Sequence, residues 1–360
     1  MALRIFGSPH RYYQGPGALR LLPRVCDEIG GKPAVVIDAE VLKLTGDLLA
    51  DIFANVDHVV LPFSGEVTVG AMAGLAERVR AAGASLVIGI GGGKALDAAK
   101  GSAIRAGARY VSAPTVASND SPSGMTLAVY DDCHNIAAIE SMARSPEAVV
   151  VDTALMASAP AHFLRAGIGD AIAKKFEAEA SRRDGGLSAH FAMQTITGLT
   201  IADGCYRTIR EHGVAALAAA GSGEPTPAFD AVVEACVLMA GLGFENGGLG
   251  LAHGLVRGLV RVPEIAKAAH GLHVAYGLLV MLVSEGRSDA FIADVEECYA
   301  SLGLPLSLRD LGPVTLSPQL FETIAQATAI APAGAYLKLS AKEAEIVAAL
   351  ERTEARARGV

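Results

Sequence analysis

The first 155 residues alternate between short apolar runs and longer amphipathic stretches. Val35–Ile37, Val59–Phe63, Leu86–Ile90, Tyr110–Ala113, Leu127–Tyr130 and Val149–Val151 are apolar or β-branched and mostly flanked by Gly, Pro or Asp, which predicts strands. Helix-period patterns lie between the early runs; over Val69–Ala82, Leu75 and Val79 fall on one face. Strands alternating with helices predict a doubly wound parallel sheet. After Ala159-Pro160 the period changes, and strand-like runs largely disappear. Ala228–Leu242 places Val232, Val233, Cys236, Met239 and Ala240 at helical spacing, and Leu251–Val260 continues with Leu251, Leu255, Val256 and Leu259. Gly221–Pro227 is a loop, Ser317-Pro318 a helix start, and Ser340 with Glu343 a capping box before the last helix. The pattern predicts an α/β domain over residues 1–158 and an all-helical domain over 159–360.

The most informative stretch is Ser85–Gly101, SLVIGIGGGKALDAAKG. An apolar strand runs into Gly91, Gly92 and Gly93, and a helix pattern starts at Lys94. That order leaves backbone N–H groups free at the positive end of a helix, a natural seat for the phosphates of a nucleotide. A plain glycine turn has the same sequence, and the motif is neither G-x-G-x-x-G nor a Walker loop. Asp38 closes an earlier strand in VVIDAEV. An acid there can hold an adenosine ribose and disfavour a 2′-phosphate, favouring NAD over NADP, or it can simply form a turn. Pro114–Tyr130, PTVASNDSPSGMTLAVY, follows a strand and offers Thr115, Ser118, Asn119, Asp120 and Ser123 to a cofactor or polyol, unless it is an ordinary polar turn.

Composition narrows the classes. Of 360 residues 51% are hydrophobic and 19% charged, so the chain can bury a large core and some subunit interface. A net charge of −8 with no basic run argues against nucleic acid as a partner. Apolar stretches such as Val274–Val283 are too short to span a bilayer, and the N-terminus lacks the layout of a signal peptide, so no membrane partner and a cytoplasmic location are expected. Cys26, Cys133, Cys205, Cys236 and Cys298 are scattered without a C-x-x-C pair and read as reduced thiols.

Three polar residues stand out in the apolar helical half: Asp170 in GIGDAIAKKFEA, His253 in GLAHGLVRGL and His270 in AAHGLHVAYG. One carboxylate and two neutral imidazoles leave a fourth position open on a zinc ion. They lie far apart in sequence, and core or helix-end histidines with satisfied hydrogen bonds are the competing reading. His273, Lys174 and Arg257 either project toward the same cleft or, the favoured reading, are solvated surface residues, with His273 second to the metal site at most.

GIGGGKALDAAKG, APTVASNDSPSG, GIGDAIAKKFEA, GLGFENGGLGLAHGLVRGL and HGLHVAYG, in this order, resemble the glycerol dehydrogenase family of the iron-containing (group III) alcohol dehydrogenases. The resemblance covers nearly the whole chain. It implies an NAD-binding α/β domain, a helical domain, and an active site in the cleft between them. It implies that Asp170, His253 and His270 bind zinc, that Gly92, Gly93, Lys94 and Asp97 form the pyrophosphate turn, and that Asp38 holds the adenosine. Thr115 and Ser118 match cofactor contacts, and Asp120 the substrate-side aspartate. Lys174 stands where the iron-dependent branch has a fourth ligand, a histidine, which favours zinc over iron. Asn119 replaces a common Thr, and Gly271-Leu272-His273-Val274 departs from the usual H-G-E-K-V-A. The implied reaction is NAD-dependent oxidation of a small polyol, glycerol to dihydroxyacetone, by a homo-oligomer, with an octamer suggested. The alternatives are 1,2-propanediol or a 2-hydroxy acid on the same scaffold.

Overall fold

A computed structural model describes residues 3–131, 136–330, 337, 339 and 341–358. Its strands are β1 (Arg11–Gly15), β2 (Pro33–Asp38), β3 (Val59–Phe63), β4 (Leu86–Gly91), β5 (Arg109–Pro114), β6 (Thr126–Tyr130), β7 (Ile136–Ser141) and β8 (Ala148–Asp152). Helices α1 (Leu22–Ile29), α2 (Ala39–Ile52), α3 (Val69–Ala81) and α4 (Gly93–Ala106) alternate with the early strands. From Thr153 onward the named elements are helices: α5 (Thr153–Ser158), α6 (Ala161–Ile172), α7 (Lys174–Arg183), α8 (Ile196–Ala219), α9 (Pro227–Glu234), α10 (Ala240–Gly247), α11 (Leu251–Leu259), α12 (His270–Ser284), α13 (Asp289–Leu302), α14 (Pro318–Ala329) and α15 (Glu343–Ala357), with short single-turn pieces between.

Six strands make one parallel sheet in the order β1-β8-β5-β4-β2-β3. The chain leaves β2 for β3 on one side and returns to β4 on the other, so the switch point lies between β2 and β4. In such sheets ligands bind outside the carboxyl ends of the strands at that point. Asp38 ends β2 and Gly91 ends β4, and a Cβ on Gly91 would lie 3.0 Å from the Asp38 Cβ. This topology explains why the acid precedes the glycine turn in sequence.

Alternate strand residues feed two cores. Val35, Ile37, Ile88, Ile90, Val111 and Val150 pack with α1 and α2, while Ala34, Val36, Val87 and Tyr110 pack with α3 and α4. Val149 and Val151 instead join a third core that runs through the helical half to Leu350. The sheet and the helices are thus welded through the last strand.

Several expectations need correction. Leu127–Tyr130 is a strand but not part of the parallel sheet; β6 pairs antiparallel with β7 in a separate two-stranded unit. The polar β1, RYYQG, gave no apolar run to read and lies half-exposed at the sheet edge, and β7, IAAIES, was not read as a strand. No stretch was expected to reach membrane-spanning length, yet residues 227–247 form one apolar helix of 21 residues that has it by length and composition. A five-residue π turn, Ala235–Met239, joins its two parts, and Phe229, Val232, Val233, Cys236, Val237 and Ala240 are buried against other helices. Ser317 caps α14 as predicted, accepting from the Leu320 N–H at 3.2 Å. The last helix starts at Glu343 with Lys342 in the cap position, its N–H donating to Glu345 at 2.8 Å; Ser340 lies outside the described residues. So does Cys133, while Cys26, Cys205, Cys236 and Cys298 are free thiols.

Candidate active site

A cleft of about 730 Å³ separates the sheet half from the helical half. Its walls include Gly93, Lys94, Asp97 and Asp120 on one side and His253 and His270 on the other.

On the sheet side, α4 begins at Gly93 with Gly92 as its cap residue and no side-chain cap, so its first N–H groups face the cleft. Gly91 holds φ +145°, in the region that favours glycine, whereas Gly92 holds φ −83°, which any residue can adopt. The Asn119 side chain lies against Gly93, folding the 114–125 loop over the helix start. Lys94 pairs with Glu66 at 2.8 Å. Asp97 points inward and accepts from the Ser121 hydroxyl at 2.6 Å and the Ala128 N–H at 3.2 Å. Buried Lys100 donates to the Ser121 and Thr126 carbonyls from the same helix. Asp97 and Lys100 therefore hold the loop and β6 in place. Thr115 is buried, its N–H donating to the Gly91 carbonyl at 3.1 Å, and Ser118 lines the cleft. Asp38 caps α2: one carboxylate oxygen accepts from the Glu40 and Val41 N–H groups at 2.9 and 3.1 Å. The second oxygen takes neither bond.

The loop then crosses to the helical half. The Ser123 hydroxyl donates to the Val237 carbonyl in the π turn at 2.6 Å. Gly167 on α6 has no Cβ because the Ala117 carbonyl takes its place. That approach brings the Asp120 N–H to 3.1 Å from Asp170 Oδ2. Gly271 allows the same closeness between the start of α12 and the Ala166 carbonyl, which sets His270 beside Asp170.

Asp170, His253 and His270 do converge: one donor atom from each lies within 4.8 Å of the other two. His253 Nε2 is 3.1 Å, and His270 Nε2 3.9 Å, from Asp170 Oδ1. One carboxylate and two imidazoles this close together fit a single divalent ion with a position left for substrate. Burial opposes ionisation of Asp170, but Lys174, His253 and His270 overcome it and hold the carboxyl well below its ordinary range. His270 opens to the cleft with its side chain 45% exposed; loss of solvation and the neighbouring His253 and Lys174 push it below the usual imidazole value against the pull of Asp170, which favours the neutral form that ligates.

Glu177 was not read from the chain and completes the site. Fully buried, it accepts from His253 Nδ1 at 2.6 Å and from the Gly250 and His253 N–H groups at 2.9 Å. It caps the start of α11 and keeps a proton on Nδ1; against burial, Glu177 and Asp170 also raise the His253 imidazole to about 9, so a metal bound at Nε2 would displace a proton there. A carboxylate behind a histidine is the usual support of a metal-ligating imidazole. The signal was the spacing D-x-x-x-K-x-x-E: α6 and α7 are separated only by Ala173, so Asp170, Lys174 and Glu177 share one helical face.

That spacing also corrects Lys174, which was read as a solvated residue. It is fully buried, with its ammonium 2.8 Å from Asp170 Oδ1 and 2.8 Å from Asp120 Oδ2. Asp120, Asp170 and Glu177 outweigh the cost of burial and hold the amine firmly protonated. His273 is buried too, because its Nε2 is spent on the Ile265 carbonyl at 2.9 Å, away from the site. Arg257 is half-buried at the cleft edge, donating to the Thr328 carbonyl.

Comparison with known proteins places the chain in a family. Residues 9–153 match the model of the family described as iron-containing alcohol dehydrogenase. A glycolaldehyde reductase of Halobacterium salinarum is 38% identical over 312 residues, covering 86% of this chain and 85% of the relative. A glycerol dehydrogenase of Pseudomonas putida is 35% identical over 325 residues, covering 90% and 89%. A solved structure of a probable glycerol dehydrogenase from Sinorhizobium meliloti superposes with a TM-score of 0.91 at 33% identity, covering 99% of this chain and 100% of that one. The chain thus belongs to the glycerol dehydrogenase family of the iron-containing alcohol dehydrogenases, and it is an alcohol or polyol dehydrogenase.

Proposed function

We propose that the protein interconverts a small vicinal diol and the matching α-hydroxy carbonyl with NAD, the assigned reaction being glycerol to dihydroxyacetone, with zinc at Asp170, His253 and His270. The observation that carries this is the placement of those three residues across one cleft from the open start of α4. The work divides between residues 1–158, which take the dinucleotide, and residues 159–360, which take metal and substrate; Asp120 reaches from the first to the second.

The dinucleotide supplies a hydride acceptor for the carbinol C–H, and a divalent ion supplies a Lewis acid that lowers the pKa of the substrate hydroxyl. The protein's own part is binding and orientation. The N–H groups of Gly92, Gly93 and Lys94 receive the pyrophosphate, Asp38 holds the adenosine ribose with its uncommitted oxygen, and Thr115 and Ser118 bound the cofactor. Asp120 accepts from the second hydroxyl of the diol. His273 is tied to a backbone carbonyl, so the hydroxyl proton leaves to water in the cleft. The three histidine-and-carboxylate donors favour zinc over iron because Lys174, an ammonium, cannot serve as a fourth ligand.

A 2-hydroxy acid is the second reading. The 2.8 Å pair with Lys174 neutralises Asp120, so this carboxylate no longer repels an acidic substrate. Initial rates with glycerol, 1,2-propanediol, ethylene glycol and 2-hydroxybutyrate, with NAD or NADP, separate the readings. Turnover of 2-hydroxybutyrate alone would refute the diol assignment.

Two smaller effects follow. Asp38→Asn keeps the cap on α2 but removes the charge that would meet a 2′-phosphate. NAD is expected to be preferred at least about tenfold by the unmutated protein, and the variant to lose most of that gap. Equal use of both cofactors by the unmutated protein would refute the role of Asp38. His273→Ala should cost about 2 kcal/mol of stability, as a buried side chain is lost, while kcat stays within about threefold. Thermal melts and steady-state kinetics check both halves.

We also propose a homo-oligomer, with eight copies as the family resemblance implies. Leu3, Phe6, Phe191 and Ile196 are exposed, and the Met193 N–H donates to the Leu3 carbonyl, so the first segment and the 187–196 loop present one apolar surface. The buried Cys26, Cys205 and Cys236 thiols fit a reducing, cytoplasmic setting.

A further inference from the structure

Three atoms crowd the Lys174 ammonium: Asp170 Oδ1 at 2.8 Å, Asp120 Oδ2 at 2.8 Å and His253 Nε2 at 3.0 Å. Two of these, Asp170 Oδ1 and His253 Nε2, are the atoms that would ligate a metal. In the neutral, metal-ligating form of His253, Glu177 holds the one imidazole proton on Nδ1 and Nε2 is the atom that faces the ammonium. One lone pair cannot serve an ammonium and a metal ion together. A dication placed among these donors would also lie in contact with a buried positive charge.

The third partner offers a way out. Asp120 is not one of the three converging donors, and the ammonium can stay paired with it while releasing Asp170 and His253. The Phe244 ring, 5.7 Å from Nζ, walls that side with a π face that suits a cation. Without Lys174 the three buried or half-buried carboxylates Asp120, Asp170 and Glu177 would have His253 as their one close cation in the metal-free cluster, leaving negative charge uncompensated.

We propose that Lys174 is a tethered cation standing in the metal position, and that metal loading is an exchange in which its ammonium withdraws to Asp120. This rests on the reading that Asp170, His253 and His270 hold the metal. Lys174 is then a positioning residue: it keeps the ligand set assembled without metal and sets the metal affinity through the fraction of molecules in which it has withdrawn.

The test is zinc affinity of chelator-stripped protein, measured by competition with a chromophoric chelator, for the unmutated chain, Lys174→Met and Asp120→Asn, with thermal melts to confirm folding. Lys174→Met removes the competitor and should bind zinc about thirtyfold more tightly. Asp120→Asn removes the refuge without touching a ligand and should bind zinc at least about fivefold more weakly. Equal or weaker binding by Lys174→Met, or unchanged binding by Asp120→Asn, overturns the proposal. If Lys174→Met does not fold, the Asp120→Asn result decides alone. Zinc bound by all three with one affinity removes only the role of Lys174; zinc bound by none removes the metal site with it.

Discussion

Asp170→Asn is expected to cut turnover at least about a thousandfold, on the order of 4 kcal/mol of transition-state stabilisation. The substitution keeps the shape of the side chain and can still meet the Asp120 N–H through its amide oxygen. It removes the only carboxylate among the three converging donors, and so the charge that offsets a dication. Metal content and kcat should fall together. Dinucleotide affinity should stay within about twofold, because α4 and Asp38 lie across the cleft and the sites are independent to first order. The fold should persist, since Lys174 retains Asp120 at 2.8 Å. His253→Ala and His270→Ala should behave alike, and the double variant should be little worse than either, because the residues act as one unit. Metal analysis with steady-state kinetics on the set decides. A metal-free His270→Ala protein with full activity would refute the assignment.

The second large effect is at the glycine turn. Gly92→Val should raise the NAD dissociation constant by about a hundredfold, or roughly 2.7 kcal/mol, by placing branched carbons where the pyrophosphate approaches the start of α4. This position separates binding from folding. Gly92 has φ −83°, and the nearest atom to an added Cβ is a Val116 methyl at 3.5 Å, an ordinary contact. Gly91 would be a poor probe, since its φ of +145° and an added Cβ only 2.8 Å from that of Ala95 would strain the fold itself. The expected result is an unchanged melting temperature with weakened NAD binding in a fluorescence titration. Unaltered binding would remove the turn from the cofactor site.

The sheet was legible because its strands are short, apolar and punctuated, and the predicted limits of β3 match its observed ends at Val59 and Phe63. β1 escaped for the opposite reason: it is polar and half-exposed, and only pairing with β8 makes it a strand; β7, IAAIES, carries an apolar run that was not read as a strand, and it pairs with β6. The three candidate ligands were visible as polar residues in apolar helices, although nothing in their spacing could show that α6, α11 and α12 meet. That meeting depends on close backbone approach, as at Gly271, a contact between distant segments. Lys174 and Glu177 were the reverse case. They lie four and seven residues from Asp170, within one helical face, and a wheel drawn through the short break at Ala173 would have placed all three together. A lysine read alone is a solvated residue; beside two carboxylates on the same face it is a buried partner. Asp97 taught a similar lesson, since its carboxylate is aimed at Ser121 and β6, and it supports the turn by fixing the loop above it.

The central claim is that this cleft oxidises a vicinal diol with NAD through a divalent ion at Asp170, His253 and His270. It is tested most directly by adding zinc back to chelator-stripped protein while NADH formation from glycerol is followed, with bound metal counted on the same samples. The account predicts negligible turnover without metal and recovery that rises in proportion to occupancy and levels at one ion per chain. Full turnover in protein shown to hold no metal, or one zinc bound per chain with no NADH formed from glycerol or any other diol tested, would contradict it.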